Sequence, residues 1–251
     1  MISIRAPFDF IKIRLLIFDL DGTLIDSKRD LADSANHMRE AMGMPRLDPV
    51  TIFSYVGDGA RMLVQRLLDH SEEDAEVDRG LNIFLNYYRE HMLDHTVLYP
   101  GVREGLEELC FMPDRTMRTL VVLTNKPVRF SRLILEGLRA AHYFRFIYGG
   151  NSFHQKKPDP MGVHTIMEET GIPARNTMMV GDSDVDVLTG RNALVATCGV
   201  TYGLGTEKMK ETPPDLYVDA LSELSALLNG HSSLTGEQHS RTDTSTTNAG
   251  L

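Results

Sequence analysis

The stretch Phe18-Asp19-Leu20-Asp21-Gly22-Thr23-Leu24 places two carboxylates two residues apart at the end of an apolar run over residues 11–20. The run predicts a buried strand, and Gly22 predicts a turn directly after it. Two ionised carboxylates are costly to place there, because their removal from water must be offset by positive charge. The pair therefore indicates a divalent metal site, and a phosphate substrate would give that metal a purpose.

Further short apolar runs follow along the chain, and helical periodicity fills most of the segments between them. Strands that alternate with helices are typical of a parallel sheet covered on both faces. We therefore predict an α/β fold. The predicted strands are residues 15–19, 120–124, 146–148, 178–181, 194–197 and 216–218, and the helices between them are residues 102–109, 129–138, 161–170 and 185–192.

Residues 27–95 interrupt this alternation, because their apolar side chains recur at helical spacing and no convincing strand is found. Ser27-x-x-Asp30 and Ser71-x-x-Asp74 predict capped helix starts. The segment therefore predicts an inserted helical cap over the carboxyl ends of the strands, where open α/β sheets bind ligands. The predicted domains are a core of residues 13–26 and 96–228 and a helical cap of residues 27–95, followed by a polar tail of residues 229–251 that is predicted to be disordered.

The composition excludes several classes of protein. The 251 residues include 26 basic and 35 acidic ones, and the net charge of -9 argues against a nucleic-acid partner. The two cysteines form no CxxC pair, which argues against a disulfide framework or a zinc site. No apolar run reaches the ~18 residues of a membrane span, and no signal peptide is apparent. We predict a soluble, cytoplasmic protein without a membrane partner; its oligomeric state stays open.

Four polar motifs follow the ends of predicted strands, and the carboxyl ends of parallel strands meet at one edge of a sheet. We therefore expect the four motifs to form one site. In chain order they are Asp19-x-Asp21, Thr124-Asn125, Lys157-Pro158 and Gly181-Asp182-Ser183-Asp184-Val185-Asp186.

Their chemistry is complementary. A carboxylate is already ionised at neutral pH, so Asp19 is a nucleophile that needs no base. Mg²⁺ held by Asp19, Asp182 and a backbone carbonyl, together with the Lys157 ammonium, would offset the repulsion of an anionic phosphate. The Thr124 hydroxyl can hold phosphoryl oxygens. Asp21 would protonate the leaving alcohol and later take a proton from the water that attacks an aspartyl-phosphate.

Each motif alone also has a purely structural interpretation. Asp-Gly-Thr is a common turn, Thr124-Asn125 can end a strand, and Lys157-Pro158 is typical of a solvated loop. Gly-Asp-Ser can start a helix, with Asp186 as an acid in the first turn. The functional interpretation is favoured because the motifs occur together, each after an apolar run.

With these four motifs in order, the chain resembles the haloacid dehalogenase-like hydrolases over about residues 13–225, and within them the phosphoglycolate phosphatases most closely. The resemblance implies a Rossmann-like core with a helical cap, dependence on Mg²⁺ and an aspartyl-phosphate intermediate. The segments that support it are residues 21–27, 56–60, 99–102, 124–127, 156–160 and 199–203.

The matching motifs imply a role for each candidate residue. Asp186 would support the metal site, either by binding the ion itself or by holding residues that bind it. True dehalogenases of this superfamily lack an acid at the position of Asp21, so phosphoryl chemistry is favoured. The candidates are Asp19, Asp21 and Lys157 for catalysis, Thr124, Asn125 and Lys157 for substrate binding, and Asp19, Asp21, Asp182 and Asp186 for the metal.

The resemblance predicts a Mg²⁺-dependent phosphatase that hydrolyses a small phosphate monoester. The preferred candidate for that substrate is 2-phosphoglycolate. Three other enzymes with the same core stay open as alternatives: a sugar-phosphate phosphatase, a pyrophosphatase and a phosphoglucomutase-like enzyme. A further alternative is a catalytically silent protein that only binds a phosphate ligand. Specificity is expected from the cap near residues 56–61. The chain departs from the family at Leu194, where a glycine is usual, and in the loop of residues 111–118.

Overall fold

A six-stranded parallel sheet lies at the centre of the protein, with a separate two-stranded antiparallel ribbon beside it. The computed structural model describes residues 9–69 and 73–230. The strands are β1 (Leu15–Phe18), β2 (Ile25–Asp26), β3 (Val97–Leu98), β4 (Thr119–Leu123), β5 (Phe146–Tyr148), β6 (Thr177–Gly181), β7 (Ala196–Val200) and β8 (Leu216–Val218). The order in the large sheet is β5-β4-β1-β6-β7-β8, and the ribbon pairs β2 with β3.

Helices cover both faces of the sheet, as predicted. Because successive side chains of a strand point to opposite faces, β1 serves two cores. Leu15 and Ile17 pack in one cluster with residues of the helix Met161–Thr170, while Leu16 and Phe18 pack in the other with residues of the helices Val102–Leu109, Val128–Gly137 and Leu221–Leu228. The helices are α1 (Lys28–Ala41), α2 (Pro49–Ser54), α3 (Ala60–Leu67), α4 (Asp74–His91), α5 (Val102–Leu109), α6 (Val128–Gly137), α7 (Met161–Thr170), α8 (Asp184–Asn192) and α9 (Leu221–Leu228).

The four helices α1 to α4 lie between β2 and β3 and form the predicted helical cap. Their buried apolar side chains, such as Met38, Leu67 and Phe84, form a packed interior. The α/β fold with an all-helical insert is therefore confirmed. The β2–β3 ribbon, which pairs Ile25 with Leu98, was not predicted, because strands of two residues show no periodicity.

The predicted start of α1 at Ser27 is confirmed, but the predicted side-chain cap is wrong. Ser27 is the N-cap residue, but its side chain does not cap the helix, and its hydroxyl donates instead to Asp21. The Asp30 carboxylate accepts hydrogen bonds from the backbone N–H groups of His95 and Thr96, at 3.1 and 2.8 Å. Asp30 thereby joins the start of the cap to its end. Ser71, the capping residue of the other predicted helix start, lies outside the described residues.

The strand predicted for residues 194–197 begins later, at Ala196. Leu194 instead occupies the turn after α8, with a left-handed φ of 58° and 80% of its surface exposed. The N–H of Val195 then closes the helix end by donating to Gly190 O at 2.9 Å. The apolar run misled the prediction, because Leu194 serves the turn that glycine usually makes.

The unusual loop of residues 111–118 ends in a buried arginine. Arg118 is only 3% exposed, and its guanidinium donates to backbone carbonyls of Ile13, Leu109 and Leu228 at 3.0–3.2 Å. Burial lowers the pKa of Arg118 to about 10. This one side chain ties the segment before β1 to the ends of α5 and α9.

The last described residues belong to the end of α9. Asn229, where the predicted tail begins, is the C-cap of that helix and accepts a hydrogen bond from Arg118 at 2.9 Å. The rest of the predicted tail, residues 231–251, lies outside the described residues, and the domain boundaries stay a prediction. Among the described helices, none has the length and apolarity that crossing a bilayer requires.

We predict that the free energy of unfolding of Leu194→Gly is higher than that of Leu194→Ala by about 1 kcal/mol. Leu194→Gly should therefore unfold at a higher urea concentration. Glycine adopts a positive φ without the steric cost that a Cβ imposes, and this gain exceeds its greater freedom in the unfolded chain. Both substitutions remove the same exposed side chain, so the alanine variant is the matched control. Equal stability of the two variants would contradict a strained turn at this position.

Candidate active site

The turn after β1 brings Asp19 and Asp21 to the carboxyl edge of the sheet. The N–H of Asp19 donates to Val180 O at 2.9 Å and so extends the pairing of β1 with β6. Gly22 follows with a φ of 87°, and a Cβ at this position would lie 2.2 Å from Asp182 Oδ2. Glycine is therefore needed both for the backbone conformation and for the space that the Asp182 carboxylate fills.

The Asp182 carboxylate follows β6 and is held by the loop after β7. Its Oδ2 accepts hydrogen bonds from the backbone N–H groups of Leu204 and Gly205, at 2.6 and 2.9 Å. Its Oδ1 has only a long contact of 3.3 Å from the Thr23 hydroxyl. One oxygen of Asp182 is thus well satisfied, and the other has room for a further partner.

Three carboxylates converge at this edge. One oxygen each of Asp19, Asp182 and Asp186 lies within 4.8 Å of the other two, so the group could hold a metal ion. Removal from water raises the pKa of Asp19 to about 6 and that of Asp182 to about 7, and the charge of Asp186 adds to both shifts. Such a cluster favours a cation or protons, because like charges repel strongly where water is excluded.

Lys157 supplies positive charge to the same group. Its Nζ lies 2.8 Å from Asp19 Oδ1 and 2.6 Å from Asp186 Oδ1. Burial lowers the pKa of Lys157, but the two carboxylates outweigh that effect and the net shift is upward. The other oxygen of Asp186 accepts hydrogen bonds from the N–H and the hydroxyl of Ser183, at 3.2 and 2.6 Å. Asp186 therefore has both oxygens occupied and holds Lys157 in place.

The Asp21 side chain has different neighbours. Its Oδ1 accepts hydrogen bonds from the Ser27 hydroxyl at 2.5 Å and from Lys126 Nζ at 2.9 Å. The group of three carboxylates does not include it, so a role for Asp21 as a metal ligand stays a prediction. Lys126 was not identified from the sequence as a functional residue. The only signal was its place in the segment 124–127.

The remaining predicted residues follow β4. Thr124 is buried, and its hydroxyl accepts a hydrogen bond from the N–H of Lys126 at 3.3 Å. Asn125 Nδ2 donates to Gly57 O in the cap and to Lys157 O, both at 3.0 Å. The two N–H groups of this amide are thus in use, and its free oxygen can only accept hydrogen bonds. In this arrangement Asn125 joins the cap to the backbone of Lys157, and its role in substrate binding stays a prediction.

A cavity of about 430 Å³ lies between the sheet edge and the helical cap. The core lines it with polar side chains, among them Asp19, Asp21 and Asp182. Most side chains that the cap contributes are apolar or aromatic, such as Phe53, Leu63, Val56, Phe84 and Tyr88. Lys157 is not part of this lining, and it approaches the cavity through its contact with Asp19. The arrangement suits a small anionic ligand whose reacting end faces the carboxylates.

Comparison with known proteins identifies the family of the chain. The chain fits the model of the haloacid dehalogenase-like hydrolase family over residues 16–200. It is 41% identical over 221 residues to the phosphoglycolate phosphatase of Chromobacterium violaceum, covering 86% of this chain and 96% of the relative. The enzyme of the same name from Vibrio parahaemolyticus is 40% identical over 221 residues, with 84% and 94% covered.

Solved structures agree with the sequence relatives. The crystal structure of a predicted phosphoglycolate phosphatase from Haemophilus somnus is similar to this chain, with a TM-score of 0.79 and 30% identity. The match covers 85% of this chain and 96% of that one. The family resemblance that rested on the four motifs is confirmed, and so is the classification as a hydrolase. The chain belongs to the haloacid dehalogenase-like hydrolase family.

Proposed function

We propose that this protein is a Mg²⁺-dependent phosphatase that hydrolyses a small phosphate monoester, 2-phosphoglycolate, to glycolate and phosphate. The observation that carries the proposal is the convergence of Asp19, Asp182, Asp186 and Lys157 at the edge of the sheet beside the cavity. The relatives named as phosphoglycolate phosphatases, which match along nearly their whole length, support the choice of substrate.

The residues present fit a magnesium ion. Asp19 Oδ1 is buried and makes no hydrogen bond of normal geometry, although Lys157 Nζ lies 2.8 Å away. Asp182 Oδ1 has one weak contact, whereas both oxygens of Asp186 are occupied. All the donors are hard oxygens, which Mg²⁺ prefers. Asp19 and Asp182 would hold the ion, and Asp186 would act behind them through Lys157. When bound, the ion would neutralise negative charge on the phosphoryl group.

Asp19 is the residue proposed to attack. One of its carboxylate oxygens forms a bond to phosphorus as the ester bond between phosphorus and the leaving oxygen breaks, which gives an aspartyl-phosphate and an alcohol. Asp21, two residues further along the same turn, gives a proton to the leaving oxygen. Water then attacks the phosphorus and Asp21 takes its proton, while the bond between the Asp19 oxygen and phosphorus breaks, which releases phosphate and restores the Asp19 carboxylate. Lys157 and Thr124 stabilise the negative charge of the phosphoryl group.

The wall of the cavity favours a small substrate over a sugar phosphate. A sugar ring needs partners for several hydroxyl groups, and burial of a hydroxyl without a hydrogen bond is costly. The cap presents mainly apolar side chains such as Phe53, Leu63 and Phe84 to the cavity. The same proposal includes a cytoplasmic location, which the free thiols of Cys110 and Cys198 support.

We predict that the purified protein with Mg²⁺ releases phosphate from 2-phosphoglycolate and that Asp19→Asn lowers kcat by at least about 10³-fold. The amide of asparagine keeps the size of the side chain but is not a nucleophile. Asp33→Asn, an exposed position on α1, is the matched control and should keep the parent rate. Phosphate release would be measured over a panel of monoesters. Turnover that persists in Asp19→Asn would exclude the mechanism, and no release from any ester would favour a binding protein.

We also predict that EDTA abolishes activity and that added Mg²⁺ restores it. Calorimetry of Mg²⁺ binding tests the site without turnover. Asp182→Asn replaces a charged oxygen ligand with a neutral one, so its affinity for Mg²⁺ should fall by at least about 10-fold. Asp184→Asn makes the same change two residues away and should bind Mg²⁺ as the parent does. Equal affinity of the two variants would contradict the metal assignment.

A further prediction concerns pH in the presence of EDTA. The pKa of Asp182 is raised to about 7 and that of Asp19 to about 6, so the folded chain keeps protons that the unfolded chain releases near pH 4. The stability that these groups contribute is therefore full below about pH 4 and is lost as the pH rises through about 6 to 7.

From about pH 5 to about pH 8, the free energy of unfolding should fall by on the order of 2 kcal/mol more in the parent than in Asp182→Asn. Asp184→Asn should keep the parent slope. Urea titrations at the two pH values measure the difference. A slope that Asp182→Asn leaves unchanged would show that the Asp182 carboxyl does not bind its proton more tightly in the folded chain.

A further inference from the structure

Tyr88 presents a buried hydroxyl that the proposed mechanism does not use. The side chain lies on α4, is 2% exposed and lines the cavity. Its hydroxyl makes no hydrogen bond of normal geometry. Within residues 9–69 and 73–230, only two other buried side-chain atoms share this property, on Asp19 and Tyr99. A buried hydroxyl without a partner is costly, so its retention at a cavity wall points to a ligand that completes it.

The direction of this hydroxyl is fixed by packing. The Tyr88 ring stacks on Phe84 of the same helix, with centroids 5.7 Å apart. Its other neighbour is Phe130 of α6, which meets it edge-on at 5.5 Å. The second contact crosses from the cap to the core. The hydroxyl is therefore held at the junction of the two parts, without the rotamer freedom that would weaken ligand binding.

A buried ammonium lies beside it. Lys126 Nζ is 4.7 Å from the centroid of the Tyr88 ring and interacts with the hydroxyl, although the contact does not have the geometry of a full hydrogen bond. Lys126 is 8% exposed, whereas Lys28 and Lys208, which also line the cavity, are more accessible to water. An ammonium has three N–H groups, and Asp21 is the acceptor that the structure gives it. Lys126 thus keeps donor capacity on the side of Tyr88.

We propose that the Tyr88 hydroxyl and the Lys126 ammonium form a carboxylate subsite that selects the organic end of the substrate. This inference rests on the proposed function, since it concerns the part of the ester that leaves. A carboxylate has two oxygens that accept hydrogen bonds, one from each group. The apolar side chains around the subsite exclude water and so strengthen both contacts.

The same geometry rejects a neutral group of equal size. The amide of 2-phosphoglycolate has the shape of the parent ester, but it keeps one acceptor and presents N–H donors to a hydroxyl and an ammonium that need acceptors. Its binding leaves one buried donor unpaired, which is a strong basis for discrimination. The expected preference is for monoesters with a carboxylate close to the ester oxygen.

The test compares kcat/KM for 2-phosphoglycolate with that for its amide, in the parent and in Tyr88→Phe. The ratio of the two values should fall at least about 10-fold in Tyr88→Phe, which is the loss expected for one hydrogen bond to a charged group. Most of the loss should appear in KM for 2-phosphoglycolate, because the carboxylate is bound alike before and during the reaction.

Tyr87→Phe is the matched control. Tyr87 lies on the same helix, stacked between His37 and His91 at 4.0 and 4.1 Å, and does not line the cavity. Tyr87→Phe removes the same atom as Tyr88→Phe, but the ratio of the two kcat/KM values should stay as in the parent. Lys126→Gln should reduce the ratio as well, with a loss of kcat for both esters because Asp21 loses its partner.

Unfolding in urea separates this role from a structural one. Tyr88→Phe removes a buried hydroxyl that makes no hydrogen bond of normal geometry in the free protein, so the variant should be at least as stable as the parent. A structural role would make the variant less stable and would affect both esters alike.

The outcomes are distinguishable. A parent that hydrolyses 2-phosphoglycolate and a Tyr88→Phe variant with the parent ratio would overturn the subsite and leave the proposed function intact. A parent protein with equal kcat/KM for 2-phosphoglycolate and for its amide would overturn the subsite too. A parent that hydrolyses no monoester would overturn the proposed function and the subsite together.

Discussion

The contact of the Lys157 ammonium with Asp19 and Asp186 is the interaction on which the site depends. Three carboxylates at one edge of a sheet repel each other, and without a cation between them they would favour protonation or unfolding. One ammonium does not balance three negative charges, so the group retains an affinity for further positive charge. The same imbalance that costs stability in the free chain gives this edge the capacity to hold a cation.

The fold makes this concentration of charge possible. The parallel order β5-β4-β1-β6-β7-β8 puts the ends of β1 and β6 side by side, so that residues 19 and 182 become neighbours although they are far apart in the chain. Glycine at position 22 leaves the space in which the Asp182 carboxylate lies. The helical cap then lies over this edge and forms the other wall of the cavity.

Much of this organisation could be predicted from the sequence. Short apolar runs identified the strands of the sheet, and helical spacing identified the insert. The failures are local and have physical reasons. Leu194 has the composition of a strand but the conformation of a turn, and the two-residue strands β2 and β3 are too short to show a period. Lys126 and Tyr88 could not be linked before the structure, because an ammonium on the core and a hydroxyl on the cap meet only after the cap has packed.

The amide of Asn125 gives the cap a mechanical connection to the lysine. One N–H group donates to Gly57 in the cap and the other to the backbone of Lys157. A separation of the cap from the core would break the first of these bonds and leave the second in place. A neutral hydrogen bond contributes only about 1 kcal/mol, so the bond to Gly57 opposes such a separation only weakly. The backbone of Lys157 is therefore held from the core side, independently of the position of the cap.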